Sequence, residues 1–538
     1  MLERLVAGII LAEGWRRALI ACLAGALLVL GLPPFGFPAV GFLSFPILVL
    51  LLDGAAGAPG AGAIRRLLPA FRIGWCFGLG YFVGGLWWLG TAMTVEGDAF
   101  LWAIPFAVLG LPAVLALYFG VAAMAARAIW SEGAARILAL AASLAVFEYL
   151  RGHLFTGFPW NELGVLAAPV PLLSQSVALV GLHGLTLLAV AVFAAPAALA
   201  GAARGGRAFV AFALLLLAAH LGFGAWRLAE RQDASVPDVA LRIVQPNIDQ
   251  SEKWDEAEAE RIFARLLQLT QAPATPAPTA VPTAETATRR LIVWPESAFP
   301  FFLVERPDAV ARLADAILPG ETLVAGAARP EIVAGAEPRF FNSVYAIDDN
   351  GEILDARDKL HLVPFGEYFP MEEVLKRRIG LTQLAEMPGG FSAGVDRRPL
   401  ALPGLPPLLS LICYEIIFQD EIDGLADRPG AILNVTNDAW FGDTPGPYQH
   451  LRQAELTATA LGLPLIRAAN TGISAVVDAY GVPRDGLALG SAGTIETALP
   501  VALPPTFFAR TGNFIFWLAV AGALLFSVYA ALRDARID

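Results

Sequence analysis

Three motifs place residues capable of acyl-transfer chemistry at the ends of apolar, strand-like segments. "LIVWPES" carries Glu296, "DKLHLVPFGEYFP" contains Lys359 and Glu367, and "LLSLICYEIIF" reaches Cys413. In α/β folds, functional side chains collect where strands end and loops begin. The sequence therefore predicts that these four side chains share one site.

Each of these residues also has an ordinary alternative role. Glu296 alone is typical of a surface or capping residue, Lys359 beside Asp358 is typical of a solvated ion pair, and Cys413 alone is typical of inert packing. Together they are sufficient for chemistry through a thioester. A thiol with a pKa of about 8.5 needs a base or a cation to become a thiolate. A carboxylate can take the proton, and an ammonium can stabilise the oxyanion of an attacked carbonyl.

No metal or cofactor is expected in this chemistry. Neither His361 nor His450 has the spacing of a zinc site. Of the three cysteines, Cys22 and Cys76 fall in apolar runs where a cysteine is usually a small buried hydrophobe, so no disulfide framework is predicted. Only Cys413 lies in a soluble-looking region.

The composition indicates that much of the chain faces lipid. Apolar residues make up 57% of the 538 residues and charged residues only 16%, against about 25% charged in a soluble globule. A spanning helix needs about 20 apolar residues. About eight spans are predicted, near 15–31, 38–53, 70–90, 101–128, 134–151, 173–200, 207–226 and 514–532.

Arginine placement in the short loops predicts the orientation. Basic pairs occur at one set of alternate loops and at the chain's end, namely Arg16 and Arg17, Arg65 and Arg66, Arg127 and Arg136, Arg204 and Arg207, and Arg533 and Arg536. The intervening loops carry almost no basic charge. Both termini are therefore predicted to be cytoplasmic, the first apolar stretch is expected to be a retained anchor, and the insert before the last span is expected to be extracytoplasmic.

The insert, 227–513, has the composition and hydrophobic pattern of a soluble α/β domain. It carries 24 Lys+Arg against 38 Asp+Glu, and this acidic balance argues against nucleic-acid binding, which needs a basic face. Short runs such as "DVALRIVQPN" and "GAILNVTND" are rich in β-branched residues and bounded by turns, and they alternate with helical patterns. The pattern predicts an α/β or layered α-β-β-α domain between membrane segments 1–226 and 514–538.

Three further segments have no role fixed by their residues. The Pro/Ala/Thr-rich stretch 271–288 reads as a disordered surface insertion. The segment 360–395 contains aromatic, Leu, Met and Gly residues around Glu367. This composition fits either a lid that dips into lipid or an ordinary surface loop. "LFTGFPWNELG" (154–164) could supply Trp160 and Phe158 as interface anchors or as substrate contacts, and Glu148 and Arg151 could pair nearby.

The ordered motifs "WPES", "DKLHLVPFGEYFP", "CYE" and "NDAWFG" resemble the nitrilase, or carbon–nitrogen hydrolase, superfamily with its Glu–Lys–Cys triad. The eight-span frame, "LFTGFPWNELG", "QSEKWDE" (250–256) and "ARTGN" before the last span are similar to the bacterial apolipoprotein N-acyltransferase family. The resemblance covers nearly the whole chain except the Pro/Ala/Thr-rich insertion. It implies a polytopic helical membrane domain carrying an extracytoplasmic nitrilase-like α-β-β-α sandwich.

The resemblance also implies a role for seven residues. Glu296 matches the general base, Lys359 the oxyanion-stabilising lysine and Cys413 the nucleophile that carries the acyl group. The supporting positions match as well: a second glutamate near the lysine, the tyrosine–glutamate pair after the cysteine, and a tryptophan required for activity, which are Glu367, Tyr414, Glu415 and Trp254.

For the family, the acyl donor is a phospholipid, usually phosphatidylethanolamine. The acceptor is the α-amino group of the S-diacylglyceryl cysteine that begins an apolipoprotein. The resemblance thus implies a multi-pass protein of the bacterial inner membrane with a periplasmic site. Two other functions remain open on the residues alone. A membrane-tethered nitrilase-type amidase would use the same triad, whereas a transporter or receptor would use the outer domain only to bind a ligand.

Overall fold

The computed structural model describes residues 2–55, 57, 60, 62–95, 97–200, 205–253, 255–273, 287–335, 338–368, 390–422 and 427–536. The chain forms two compact units. The helical unit comprises Met1–Arg231 and Pro505–Asp538, and the α/β unit comprises Gln232–Pro504. The charge-poor and charge-rich parts of the sequence thus fold as separate bodies.

The helical unit is built from apolar α-helices joined by short connections. Its described α-helices are Leu2–Ile10, Gly14–Leu27, Gly41–Asp53, Ala63–Leu86, Leu89–Ala92, Leu111–Ala128, Ala135–His153, Pro171–Ser174, Val177–Ala194, Gly206–Ala229, Phe507–Thr511 and Phe514–Asp534. Short 3-10 or π turns extend several of them, and Pro46 and Pro69 lie inside two of them.

Seven helical segments of the described chain are long and apolar enough to cross a membrane: Gly14–Gly31, Ile64–Leu86, Ala99–Ala128, Ala135–Thr156, Val177–Leu199, Gly206–Ala229 and Phe514–Asp534. Each coincides with a predicted span. The remaining predicted span, 38–53, forms the shorter apolar helical segment Pro38–Asp53. At about 1.5 Å per residue, this segment falls short of a hydrocarbon core about 30 Å thick.

A buried ion pair fixes the "LFTGFPWNELG" loop within the helical unit. Arg151 Nη2 lies 2.7 Å from Glu148 Oε2, and both side chains are fully buried. Arg151 Nη1 donates to the carbonyl oxygens of Phe158 and, at 3.0 Å, Trp160. Trp160 is 2% exposed and its ring centroid lies 5.1 Å from that of Trp88. Of the two roles left open for Trp160, the interface anchor does not fit the structure, because the indole packs inside the unit.

The α/β unit contains two sheets. The strands are β1 Ser235–Gln245, β2 Arg289–Val293, β3 Glu321–Glu331, β4 Arg339–Ile347, β5 Ile353–Asp358, β6 Leu408–Ile412, β7 Ala431–Thr436, β8 Leu465–Ala469, β9 Ser474–Val477, β10 Pro483–Leu487 and β11 Gly493–Pro500. One sheet has the order β11-β1-β2-β3-β4-β5 and the other the order β10-β9-β8-β7-β6. Around β1–β2–β3 and β6–β7–β8 the pairing is parallel, which is typical of strands covered on both faces.

The two sheets pack face to face with helices outside them. Leu241, Val293 and Val344 of the first sheet share a core with Leu433 and Ile466 of the second. The outer face of the first sheet packs against helices Ala259–Gln271 and Pro307–Ala316. The almost entirely buried helix Pro445–Leu461 lies against the second sheet and the turn after β6. The predicted α-β-β-α sandwich is confirmed.

Candidate active site

Cys413 follows the last residue of β6 and adopts a conformation that non-glycine residues rarely adopt. Its φ is +49°, and it begins a 3-10 turn, Cys413–Ile417. A left-handed residue of this kind costs of the order of 1–3 kcal/mol and persists only where its surroundings hold it. β6 pairs in parallel with the fully buried strand β7. The thiol is therefore presented from a sharp turn on a rigid strand end.

Glu296 follows β2, and a close approach from β3 fixes its backbone. Gly326 donates its N–H to Pro295 O at 3.1 Å, and a Cβ at Gly326 would lie 2.5 Å from the Cα of Glu296. Only glycine fits there. On the other side, the buried Lys253 ammonium donates to Glu296 O at 2.9 Å. These two contacts hold the peptide of Glu296 and leave its carboxylate to face the site.

Lys359 follows β5 and joins two glutamates. Its Nζ lies 2.9 Å from Glu367 Oε1 and 3.6 Å from Glu296 Oε1, and its side chain is 1% exposed. Asn342 on the neighbouring strand β4 donates its amide to both carboxylates, at 2.8 Å each. The other Glu367 oxygen accepts from the Val363 N–H at 2.8 Å. The predicted base, the predicted lysine and the second glutamate thus form one buried cluster.

Glu415 holds backbone together around this cluster. Its two oxygens accept the N–H groups of Ile412, Leu360 and His361 at 2.8, 3.0 and 3.2 Å, and Arg397 lies 3.2 Å away. The carboxylate therefore ties the strand before the cysteine to the segment after the lysine.

Tyr414, the residue after the predicted nucleophile, is buried. Its ring packs edge-on against His361 and Phe418, with centroids 5.8 and 4.9 Å away. This packing fixes the Tyr414 side chain. The backbone N–H of Tyr414 belongs to the peptide bond that directly follows Cys413.

The charges in the cluster act on one another. Desolvation and the Glu296 carboxylate raise the pKa of the Cys413 thiol to about 12, against the opposing charge of Lys359. Burial alone would lower the pKa of Lys359, but the carboxylates of Glu367 and Glu296 outweigh burial and raise that pKa above its ordinary value. The resting site therefore holds a neutral thiol beside a permanent ammonium, and the thiol needs a base at the moment of attack.

Trp254 of the predicted site lies outside the described residues, and so do residues 369–389 of the segment 360–395, which the sequence left open as a lid or a surface loop. At the described edge of that segment, Phe365 is 64% exposed and has a φ of +66°.

The sequence motifs did not identify several buried residues around the site. Asn342 lies in "FNSVYA", a run that predicts a strand and nothing more. Asp438 lies in "NDAWFG", and His450 stands in the sequence without the spacing of a zinc ligand. His450 Nδ1 lies 2.8 Å from Asp438 Oδ1, whose carboxylate is paired with Arg467 at 2.7 Å. Sequence alone places these residues on separate elements, so only the fold brings them together.

One set of potential metal ligands in the described part of the chain includes Cys413. Atoms of Cys413, Asp438 and His450 lie within 4.8 Å of one another. Both ring nitrogens of His450 are engaged, one with Asp438 and the other with the carbonyl of Cys413 at 3.1 Å. Arg467 already balances the carboxylate charge. The donors are thus used within the protein, in a manner typical of a hydrogen-bond network.

Comparison with known proteins agrees with this architecture. Residues 240–503 match the carbon–nitrogen hydrolase family, and residues 24–195 match the apolipoprotein N-acyltransferase N-terminal domain. Among solved structures, an amidase from Nesterenkonia sp. is similar at 17% identity with a TM-score of 0.33, and the match covers 54% of this chain and 99% of that chain. The family match over residues 240–503 shows that the α/β unit is a carbon–nitrogen hydrolase domain, carried in one chain with a multi-helix membrane domain.

Full-length relatives define the family more narrowly. The apolipoprotein N-acyltransferase of Brucella suis is 52% identical over 98% of this chain and 97% of its own length. The protein of the same name from Rhizobium meliloti is 52% identical over 99% and 98%. This chain belongs to the apolipoprotein N-acyltransferase family.

Proposed function

We propose that this enzyme transfers a fatty acyl chain from a phospholipid to the α-amino group of an S-diacylglyceryl cysteine at the start of an apolipoprotein, through a thioester on Cys413. The observation that carries the proposal is that the buried side chains of Glu296 and Lys359 lie together and close enough to the half-buried Cys413 for their charges to shift the pKa of its thiol. Family membership supports the substrate classes. The donor we propose is phosphatidylethanolamine.

In the first half-reaction, Glu296 accepts the proton of the Cys413 thiol as sulfur attacks the ester carbonyl carbon. Among the described residues, Glu296 Oε2 has no hydrogen-bond partner, so this oxygen can take the proton. Lys359 and the backbone N–H of Tyr414 bind the oxyanion. The intermediate then expels the lysophospholipid alkoxide, which takes the proton from Glu296, and a thioester remains on sulfur.

In the second half-reaction, Glu296 accepts a proton from the incoming α-amine, and the nitrogen attacks the thioester carbonyl. The C–S bond breaks, an amide forms, and the thiolate recovers a proton from Glu296. Ester and amine are consumed, and amide and lysophospholipid are produced, so no other co-reactant is needed. A thioester is a more activated acyl group than an amide, and we expect ping-pong kinetics.

A bilayer setting suits this reaction. Both substrates carry acyl chains, and each buried CH₂ contributes about 0.8 kcal/mol to membrane partitioning. A site at the bilayer surface would receive both substrates by lateral diffusion. We propose that 227–513 is the catalytic domain, that it is periplasmic, that both termini are cytoplasmic and that the membrane is the bacterial inner membrane.

The transfer can be tested with two defined substrates. Purified full-length protein is incubated with vesicles of phosphatidylethanolamine and a synthetic diacylglyceryl-cysteine peptide. We expect lysophospholipid and N-acylated peptide in equal amounts, and double-reciprocal plots that are parallel. Free fatty acid with an unmodified peptide would indicate a hydrolase instead. Turnover of a small amide without any lipid product would support the amidase alternative.

The orientation needs a separate test. Val395 is 92% exposed in the α/β unit, so Val395→Cys offers an accessible thiol. In intact spheroplasts, a membrane-impermeant maleimide should label Val395→Cys but not Arg536→Cys near the chain's end. Labelling with the opposite preference would refute the proposed topology.

A further inference from the structure

A closed ring of buried polar side chains begins and ends at the backbone of the predicted nucleophile. His450 contacts Cys413 O, Asp438 contacts His450, and Arg467 contacts Asp438. Arg467 also donates to Asn434 Oδ1, and the Asn434 amide donates to Leu411 O at 2.8 Å and to Cys413 O at 3.4 Å. The four side chains of the ring are all fully buried. The proposed reaction assigns none of them a role.

His450 makes the shorter of the two contacts to the Cys413 carbonyl. Its Nε2 lies 3.1 Å from that oxygen. A carbonyl oxygen only accepts, so Nε2 carries the proton in this hydrogen bond. The other nitrogen lies 2.8 Å from Asp438 Oδ1 and 3.1 Å from Arg467 Nη2, which fixes the plane of the ring.

The carbonyl that His450 holds belongs to the peptide unit between Cys413 and Tyr414. In a trans peptide, the C=O and the N–H point in opposite directions across one rigid plane. Fixing the direction of Cys413 O therefore fixes the direction of the Tyr414 N–H. The left-handed φ of Cys413 makes this control necessary, because such a backbone relaxes unless its surroundings hold it.

We propose that His450 is a positioning residue that holds the carbonyl of Cys413 and thereby aims the Tyr414 N–H at the oxyanion formed in each acyl-transfer step. Asp438 and Arg467 act behind it by fixing the imidazole. The inference rests on the proposed acyl transfer through Cys413. It assigns the ring to the stabilisation of the developing negative charge and not to the generation of the thiolate.

The test compares two reactions of the Cys413 sulfur, so that stabilisation of the oxyanion is measured separately from generation of the thiolate. Thioester formation from phosphatidylethanolamine vesicles passes through an oxyanion, whereas alkylation of Cys413 by iodoacetamide does not. In His450→Leu, a side chain of similar volume donates no hydrogen bond. We expect thioester formation to slow roughly 10–100-fold, since a misplaced catalytic group costs up to about 10²-fold. Alkylation should change less than about threefold, because it needs no oxyanion donor.

Two further variants keep the result interpretable. His450→Gln retains an N–H able to reach Cys413 O and should recover most of the lost rate. Thr457→Val is the matched control, since the Thr457 hydroxyl on the same helix donates to Ile416 O at 2.9 Å in the same turn. The Thr457→Val variant should form the thioester at a rate within about twofold of that of the native chain, because His450 still holds the Cys413–Tyr414 peptide in this variant.

Three results would overturn the inference while leaving the proposed function intact: His450→Leu acylating at the native rate, losing alkylation and acylation by the same factor, or showing no recovery in His450→Gln. A native chain that forms no thioester at all would instead overturn the proposed function, and the inference with it.

Discussion

Two buried glutamates, one in each unit, are used in opposite ways. In the helical unit, both oxygens of Glu148 are occupied, by Arg151 and by the Leu163 N–H. In the α/β unit, Glu296 Oε1 accepts from Asn342 and lies near Lys359, while Oε2 has no hydrogen-bond partner among the described residues. The first carboxylate is fully used in holding a loop. The second keeps one oxygen without a partner among the described residues, in the site that also holds the Cys413 thiol.

The same distinction separates the three glutamates around the site. Glu415 and Glu367 accept hydrogen bonds on both oxygens, largely from backbone or from Lys359 and Asn342. Only Glu296 of these three keeps an oxygen without a partner in the described part of the chain. Burial by itself therefore does not mark the base. The degree to which a buried carboxylate is already hydrogen-bonded is the more informative property.

The largest expected effect comes from exchanging the two contrasted carboxylates for amides. Glu296→Gln removes the proposed base, so we expect thioester formation to fall about 10²–10⁴-fold with the melting temperature nearly unchanged. Glu148→Gln weakens a buried ion pair and should instead destabilise the protein, by about 3 kcal/mol. Thioester formation per folded molecule and thermal unfolding measured on the same samples separate the two outcomes. If both variants lost the same activity per folded molecule, the distinction between a catalytic Glu296 and a structural Glu148 would be wrong.

Lys359 is expected to have the next largest effect. Lys359→Met removes the ammonium proposed to bind the oxyanion, and loss of such a donor costs about 2.7–4 kcal/mol of barrier, or roughly 10²–10³-fold in rate. Single-turnover acylation by phosphatidylethanolamine measures this. Arg397→Met is the matched control, because Arg397 is a half-buried cation whose ion pairs in the described part of the chain are with Glu415 and Glu421 and not with Glu296. If both variants acylate equally slowly, a general loss of positive charge and not oxyanion binding would explain the result.

A smaller effect is expected at Asn342, whose amide joins Glu296 and Glu367. Its Oδ1 is buried without a partner among the described residues, so the two carboxylates set its position. Asn342→Ala should slow acylation about tenfold or somewhat more, since a hydrogen bond to a charged group contributes about 1.5–3 kcal/mol. Asn342→Asp, which adds a third negative charge, should be slower still. Acylation in the Asp variant as fast as in the native chain would contradict this role.

The smallest expected change is in the pH dependence of alkylation. The thiol pKa of about 12 means that the fraction of thiolate still rises above pH 9, where an ordinary thiol with a pKa of about 8.5 levels off. The rate of iodoacetamide labelling at Cys413 should therefore keep increasing between pH 9 and pH 10. Glu296→Gln removes a charge that raises this pKa, so its labelling should be several-fold faster at pH 8. A plateau near pH 9 in the native chain would show that the thiol pKa is ordinary.

The sequence predicted the strands of the sheet interiors better than the sheet edges. Runs such as "GAILNVTND" predicted β7, which is buried along its whole length. Three of the four edge strands, β5, β10 and β11, have mixed, partly exposed sequences, "ILDARD", "PRDGL" and "GTIETALP", whereas the fourth, β6, is apolar and mostly buried like the interior strands. The three mixed strands bury only one face or less, so their hydrophobic pattern is weak. The segment 38–53 was predicted with the bounds that the structure shows, but as a spanning helix, and its 16 residues are too few to cross a hydrocarbon core about 30 Å thick.

The predicted site residues that the structure describes are close together in space, but their hydrogen-bond partners could not be predicted from the sequence. The order of motifs identified Glu296, Lys359 and Cys413 because each follows a strand. Asn342 and the ring containing His450 depend on which strands and helices become neighbours, and no local pattern encodes that. Whether a carboxylate keeps a free oxygen depends on backbone N–H groups from distant segments, as at Glu415.

The most direct test of the account is to find where the acyl chain rests between the two substrates. Full-length protein is incubated with vesicles of acyl-radiolabelled phosphatidylethanolamine, digested, and the label is located and treated with hydroxylamine. We expect hydroxylamine-sensitive label on the peptide containing Cys413, none in Cys413→Ser, and transfer of the label to a diacylglyceryl-cysteine peptide when it is added. Label on another residue, or a native Cys413 that stays unacylated while the peptide is N-acylated, would contradict the account.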